Sequence, residues 1–126
     1  SVIVKHNSSI NKLLINPKTF GKVGVNTGTN IITLNGHDTK TGDKIYYSPT
    51  YSSISGLETG GYFVYRVDDN NIKLANTYHN VVNYPPKVIN LVGVGSTFVG
   101  EISLINPNIP VIRNNDLVFF FRGIWF

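Results

Sequence analysis

The chain has 126 residues, a formal net charge of +4 and no cysteine, so it can bury its own core but cannot form disulfides or thiolate metal sites. The eleven Lys and Arg are scattered along the sequence, which argues against nucleic acid as a partner. No apolar run reaches the roughly 18 residues of a membrane-spanning helix, so we expect no membrane contact. Ala75 is the single alanine, which disfavours a helical domain.

Residues 1–29 are predicted to form N-terminal strands and a connector. The apolar runs 2–4 and 13–15 indicate two short strands, and we expect the second to end at Asn16, which precedes a proline. The chain contains no Met and begins without the charged and apolar regions of a signal peptide. We therefore interpret it as a processed product or an excised segment.

Residues 30–105 are predicted to form one small antiparallel β-barrel or sandwich of SH3-like size. The strongest signal is a hairpin, in which residues 62–67 and 72–75 form strands around the polar turn 68–71. A single helical turn capped by Thr77 is expected after the hairpin. Further strands are predicted over residues 30–34, 44–47, 88–92 and 97–105.

Alternation along the first hairpin strand separates two faces, and both carry apolar side chains. Phe63, Tyr65 and Val67 share one face, which we predict to be the core side because all three are apolar. Tyr62 and Arg66 would then point outward as a candidate ligand patch, or would simply pack on the sheet. The predicted core comprises Ile32, Leu34, Ile45, Tyr47, Phe63, Tyr65, Val67, Ile72, Leu74, Ile89, Leu91 and Ile102.

Residues 106–126 are predicted to be a linker and an apolar C-terminal strand that begins or joins another β-unit. From Leu117 to Phe121, apolar residues occupy both faces of the strand, which is typical of a strand covered on both sides. An ordinary last core strand is one explanation, and a contact with another chain or module is the other, which we favour. The candidate assembly contact comprises Leu117, Phe119, Phe120, Phe121, Ile124, Trp125 and Phe126.

The sequence indicates no catalytic, cofactor or metal site, so we expect neither an enzyme nor a bound cofactor. The three histidines lack the spacing of a metal site, and His37 with Asp38 is interpreted as part of a solvated turn. Asp68 and Asp69 are adjacent and would point to opposite faces of a strand, so we interpret them as turn formers.

Two segments resemble a β-rich module of tailed-phage virion structural proteins, found in the tail, tail fibre or baseplate of myoviruses of marine bacteria. Residues 41–48, TGDKIYYS, match the first motif, and residues 60–75, GGYFVYRVDDNNIKLA, match the second. The likeness covers about residues 35–105. A weaker likeness over residues 106–119 resembles the start of a further β-sandwich. The family supplies no catalytic or metal residue for this chain.

The resemblance implies a structural building block that is located in the phage virion and acts through protein–protein contacts. The expected partners are other virion proteins or copies of the chain itself, so we expect a homo-oligomer. The alternative is a carbohydrate- or receptor-binding module on the same particle, which would contact a host surface glycan through outward Tyr and Asn side chains. A third hypothesis, a nucleic-acid-binding domain, is supported by the positive charge alone.

Overall fold

The computed structural model describes residues 4–7 and 12–105, with side chains described from Leu14 to Ile105. These residues form ten strands, a 3-10 helix over Lys22–Gly24 and one short α-helix, α1, over Tyr78–Val82. The expectation of an all-β fold is therefore confirmed. The strands are β1 (Val4–Asn7), β2 (Lys12–Gly21), β3 (Val25–Asn26), β4 (Ile31–Thr33), β5 (Lys44–Thr50), β6 (Ile54–Ser55), β7 (Gly60–Asp68), β8 (Asn71–Ala75), β9 (Gly93–Val94) and β10 (Val99–Ile105).

Eight strands form one antiparallel sheet in the order β1-β2-β10-β5-β7-β8-β4-β3, and β6 pairs with β9 in a separate two-stranded sheet. The strands from the first 29 residues thus belong to the same sheet as those of residues 30–105. In this order β2 and β3 are six strands apart, which is about 29 Å in a flat sheet. The chain from Gly21 to Val25 spans at most about 15 Å. The sheet must therefore curl into an open barrel.

The inner face of the barrel holds the main core. Ile45 and Tyr47 on β5 are fully buried, and Val64 on β7 is buried beside them. The Tyr47 hydroxyl accepts the Ile54 N–H at 3.3 Å and so attaches β6 to the main core, and burial raises the pKa of Tyr47. The predicted core residues that are buried here are Ile32, Leu34, Ile45, Tyr47, Ile72, Leu74, Leu91 and Ile102, with Ile89 partly buried against them.

The predicted orientation of β7 is wrong. Tyr62 is 8% exposed and Val64 0% exposed, whereas Val67, predicted to lie in the core, is 39% exposed. The register pairs Tyr62 with Ile45, which places Tyr62 inward with the core. The apolar character of Phe63, Tyr65 and Val67 does not mark the core side, because the outer side of this strand is also covered. Phe63 packs edge-on against Tyr78 of α1, with ring centroids 6.2 Å apart.

Two local expectations also differ from the structure. The Asn-Pro pair does not end a strand, because β2 continues through it with a β-bulge in which Asn16 has a positive φ of 50°. Residues 88–92 form no strand, since they follow two prolines and bond to three different partners. Those three bonds run from Ile89 N–H to Leu74 O, from Leu91 N–H to Asn30 Oδ1 and from Val92 N–H to Ser55 O.

The helical turn occurs as predicted. The Thr77 hydroxyl accepts the Asn80 N–H at 3.2 Å and so caps α1. The helix contacts β7 and β8 on the outer side of the sheet, and this places Tyr78 over Phe63. A short helix therefore covers one end of the outer face.

Adding one methyl group at Gly100 should destabilise the barrel, because a Cβ there would lie 2.6 Å from the Phe98 ring and 2.7 Å from the Phe20 ring. We expect Gly100→Ala to lower the free energy of unfolding by about 1–3 kcal/mol, as overpacking does. Gly93→Ala is the matched control, since nothing lies within 4 Å of its Cβ position. Urea denaturation measures both, and equal stabilities of the two variants would contradict the packing described at Gly100.

Candidate assembly surface

A second apolar cluster lies on the outer face of the sheet, opposite the main core. Leu14 of β2, Ile105 of β10 and Tyr46 of β5 are all buried and pack together. The register explains the grouping: Ile105 pairs with Leu14 across one strand boundary, and Ser103 pairs with Tyr46 across the next. We call Leu14, Tyr46, Ser103 and Ile105 the outer-face cluster.

The local sequence of β5 places apolar residues on both sides of the sheet. Ile45, Tyr46 and Tyr47 are consecutive and all buried, although successive side chains of a strand point to opposite faces. Ile45 and Tyr47 fill the main core, so Tyr46 is left for the outer face. The strand is therefore covered on both sides, which is unusual for an antiparallel sheet that faces water on one side.

A shallow depression continues the outer-face cluster towards β7. It has a volume of about 300 Å³ and lies between Tyr46, Ile105 and Phe63. Gly61 pairs with Tyr46 and has no side chain, so the floor of the depression is backbone. Lys44 lies at its edge, with its Nζ 5.6 Å from the centre of the Phe63 ring, a distance at which a cation and an aromatic ring attract.

Ser103 is the polar member of the cluster. It is 1% exposed, and its Oγ makes no hydrogen bond in the described part of the structure. A buried hydroxyl without a partner costs about 1–3 kcal/mol, so such groups are uncommon in native interiors. The outer face therefore has a buried hydroxyl that is free to pair with a polar group.

The predicted ligand patch of Tyr62 and Arg66 does not form. Tyr62 points into the barrel, where its hydroxyl donates to the Glu58 carbonyl and burial raises its pKa. Arg66 lies beyond it at the exposed end of β7 and pairs with Asp69. The residues predicted to make the assembly contact, from Leu117 to Phe126, lie outside the described residues.

The turn 68–71 is structural, as expected from its composition. The Asp68 carboxylate accepts the Asn70 N–H at 2.8 Å and the Asn71 side-chain amide at 2.9 Å. The side-chain oxygen of Asn70 in turn accepts the Gly36 N–H at 2.9 Å. The hairpin turn is therefore attached to the loop that follows β4.

His37 is buried, so its interpretation as a solvated turn residue is wrong. Its Nδ1 accepts the Thr39 N–H at 3.0 Å, which leaves Nε2 to carry the proton and donate to the Asp68 carbonyl at 2.7 Å. Both ring nitrogens are thus used to hold the loop against the hairpin. No local sequence pattern signals this role, because the main partner is 31 residues away in the chain.

Within residues 4–7 and 12–105 no group of three His, Asp or Glu side chains could hold a metal ion. Across the same part of the chain, no helix is long and apolar enough to span a membrane.

Tyr51 is an exposed aromatic residue in a strained turn that the sequence pattern did not indicate. Its side chain is 85% exposed and its φ is +72°. The Ser52 N–H donates to the Thr50 carbonyl at 3.0 Å, which closes a three-residue γ-turn around Tyr51. A bulky residue rarely adopts this conformation, and such strain is often found at binding sites.

Comparison with known proteins identifies no relative. No protein-family model matches the sequence, no curated protein matches it, and no solved structure matches the fold at a significant level. The resemblance to phage virion modules therefore stays a prediction.

Acid should weaken the hairpin turn through Asp68. The hydrogen bond from the Asn71 side chain, and then that from the Asn70 N–H, lower the pKa of Asp68 below its usual 3.8. A carboxyl group with a lowered pKa stabilises the fold above its unfolded pKa, and this stabilisation is lost as pH falls through the folded value. We therefore expect wild type to lose its stability advantage over Asp68→Asn below about pH 4.

Urea midpoints of both proteins between about pH 6 and 2.5 measure this effect. Asn71→Ala is the matched variant, because it keeps the carboxylate but removes its main donor, and its pH-dependent loss should be smaller than that of wild type. Parallel curves for wild type and Asp68→Asn across the whole range would contradict the prediction.

Proposed function

We propose that the chain is a structural building block of a phage virion, part of the tail, a tail fibre or the baseplate, and that it acts through protein–protein contacts. The observation that carries the proposal is the sheet with apolar side chains on both faces. A lone barrel needs only its inner face covered, whereas Leu14, Tyr46 and Ile105 form a second buried cluster outside it. A strand that is apolar on both faces is typical of a sheet that is covered on both sides, as in a module that packs against further protein.

The residues that resemble the phage family have structural roles in this fold, which supports a scaffold function. In the segment 41–48, Gly42 takes a φ of +99° that favours glycine, and the Asp43 carboxylate accepts the Lys40 N–H at 2.9 Å to fix the turn into β5. The segment 60–75 is the β7–β8 hairpin. The residues of both motifs therefore build turns and strands of the barrel.

The proposed partners are other virion proteins or further copies of the chain. The contact is assigned to residues 117–126, where Phe119, Phe121 and Trp125 are among the large apolar side chains. Burying one such side chain contributes roughly 1.5–3 kcal/mol, so several of them can hold two modules together. The proposed location is the virion.

Removing residues 117–126 should abolish self-association while the barrel keeps its fold. Light scattering over a range of concentrations measures association, and far-UV circular dichroism measures the retained β-structure. Val23→Ser is the matched control, because Val23 is fully exposed and lies on the 3-10 helix, away from the outer-face cluster. If the intact chain is a monomer at high micromolar concentration and Trp125 fluorescence does not change on dilution, the assembly contact is wrong.

A carbohydrate- or receptor-binding role is the second candidate, and the exposed Tyr51 on its γ-turn is the observation that favours it. Exposed aromatic rings stack on sugars, and the backbone at Tyr51 is held by the hydrogen bond between Ser52 and Thr50. This candidate replaces the predicted patch at Tyr62 and Arg66 as the place where a host surface glycan would bind.

A glycan array tests the second candidate. Binding that is lost in Tyr51→Ala but kept in Tyr84→Ala would support it, because Tyr84 is equally exposed but lies on a different loop. No binding by the intact chain, or an equal loss in both variants, would exclude Tyr51 as a glycan contact.

A further inference from the structure

We propose that a groove beside β6 is a binding site for a neutral saccharide. The groove is lined by β6, by the loop that leads from β6 into β7, and by Asn76 and Ile89 from two other segments. Its volume is about 570 Å³, within the roughly 300–1,000 Å³ that is typical of ligand sites. We call it the β6–β7 groove. The inference goes beyond the assembly role and does not depend on it.

The rim of the β6–β7 groove is built from polar side chains that the fold does not use. Ser53, Ser55, Glu58, Thr59 and Asn76 line the groove and are all exposed. Within the part of the chain that the structure describes, none of these five side chains has a hydrogen-bond or ion-pair partner. Hydroxyl and amide groups both donate and accept, whereas a carboxylate accepts. The rim is therefore complementary to a ligand that carries many hydroxyl groups.

The floor of the groove is apolar. Ile54, Leu57 and Tyr62 are buried beneath the rim, and Ile89 is partly buried against the same core. Ligand sites commonly combine such an apolar lining with a few polar groups that orient the ligand. A sugar ring has the matching character, because its faces carry C–H groups and its edge carries hydroxyls.

The charge of the groove selects neutral saccharides over acidic ligands. Among the described residues that line it, Glu58 is the single charged side chain, and no Lys or Arg is present. Phosphate, sulfate and carboxylate groups are bound through cationic partners, and the Glu58 carboxylate would repel them. A neutral sugar meets no such repulsion, and two of its adjacent hydroxyls can donate to the two carboxylate oxygens.

The walls of the groove are fixed by contacts within the protein. The Tyr62 hydroxyl donates to the Glu58 carbonyl, and the Val92 N–H donates to the Ser55 carbonyl at 2.8 Å. Gly56 has a φ of +95°, and a Cβ there would lie 2.5 Å from the Asn90 carbonyl oxygen, so this position requires glycine. Because the walls are already ordered, a ligand does not have to order them on binding.

A glycan array that carries neutral, sialylated and sulfated glycans tests the class of ligand with the intact chain. We expect neutral glycans to bind and the acidic ones to be rejected. The neutral glycan that gives the strongest signal is then titrated by calorimetry into wild type, Glu58→Gln and Asn76→Ala. Each variant should raise the Kd about threefold to tenfold, which is the effect of losing one hydrogen bond.

Asn35→Ala is the matched control for Asn76→Ala, because Asn35 is also exposed but lies outside the groove. It should bind with the Kd of wild type. Urea midpoints equal to that of wild type show that the variants keep their fold, which is expected because all three side chains are exposed.

The proposal is overturned if no neutral glycan binds, or if acidic glycans bind better. It is also overturned if Glu58→Gln and Asn76→Ala both keep the wild-type Kd, or if Asn35→Ala loses as much affinity as they do. Tyr51 does not line the groove, so a loss confined to Tyr51→Ala would assign the glycan contact to that turn instead.

Light scattering on the same samples separates this inference from the proposed function. A chain that stays monomeric at every concentration but binds a neutral glycan through Glu58 and Asn76 keeps the saccharide site and refutes the assembly role. A chain that self-associates and binds no neutral glycan keeps the assembly role and refutes the saccharide site.

Discussion

The short connection between β2 and β3 is the constraint on which the rest of the structure depends. Because so few residues join two strands that are far apart in the sheet order, the sheet must curl, and the curl creates an enclosed inner face. In the main core Phe20 and Phe98 meet edge to face, with ring centroids 5.4 Å apart, and Gly100 leaves the space they need. The enclosed main core and the division of the sheet into an inner and an outer face both follow from this closure.

The outer face distinguishes this barrel from one whose outward side chains are polar and face water. Alternation normally gives an antiparallel strand one apolar side, but β5 is apolar on both, and α1 covers only the part of the outer face formed by β7 and β8. The protein therefore has two apolar layers separated by one sheet. The inner layer is the main core of the barrel, and the outer layer is the feature on which the proposed assembly role rests.

Those features that depend on local chemistry could be predicted from the sequence. The β7–β8 hairpin and the capped turn at Thr77 were predicted because turn formers and caps act within a few residues. Features that depend on distant partners were missed. The inward side of β7 could not be chosen while both sides were apolar, and the position of His37 depends on a carbonyl 31 residues away, at the β7–β8 turn. Likewise, no local composition signals the positive φ of Tyr51.

The position of β10 in the sheet determines the order in which the protein can fold. β10 is the last described strand in the chain, yet it lies between β2 and β5, and it pairs with both. Until it is in place, no strand connects β2 with β5, and the pairs that can form from local contacts are the β1–β2, β3–β4 and β7–β8 hairpins. Closing such long loops costs entropy before any contact compensates it, so folding should be slow and governed by this one insertion. During synthesis the barrel would remain open, with its apolar faces accessible to chaperones, until residue 105 has left the ribosome.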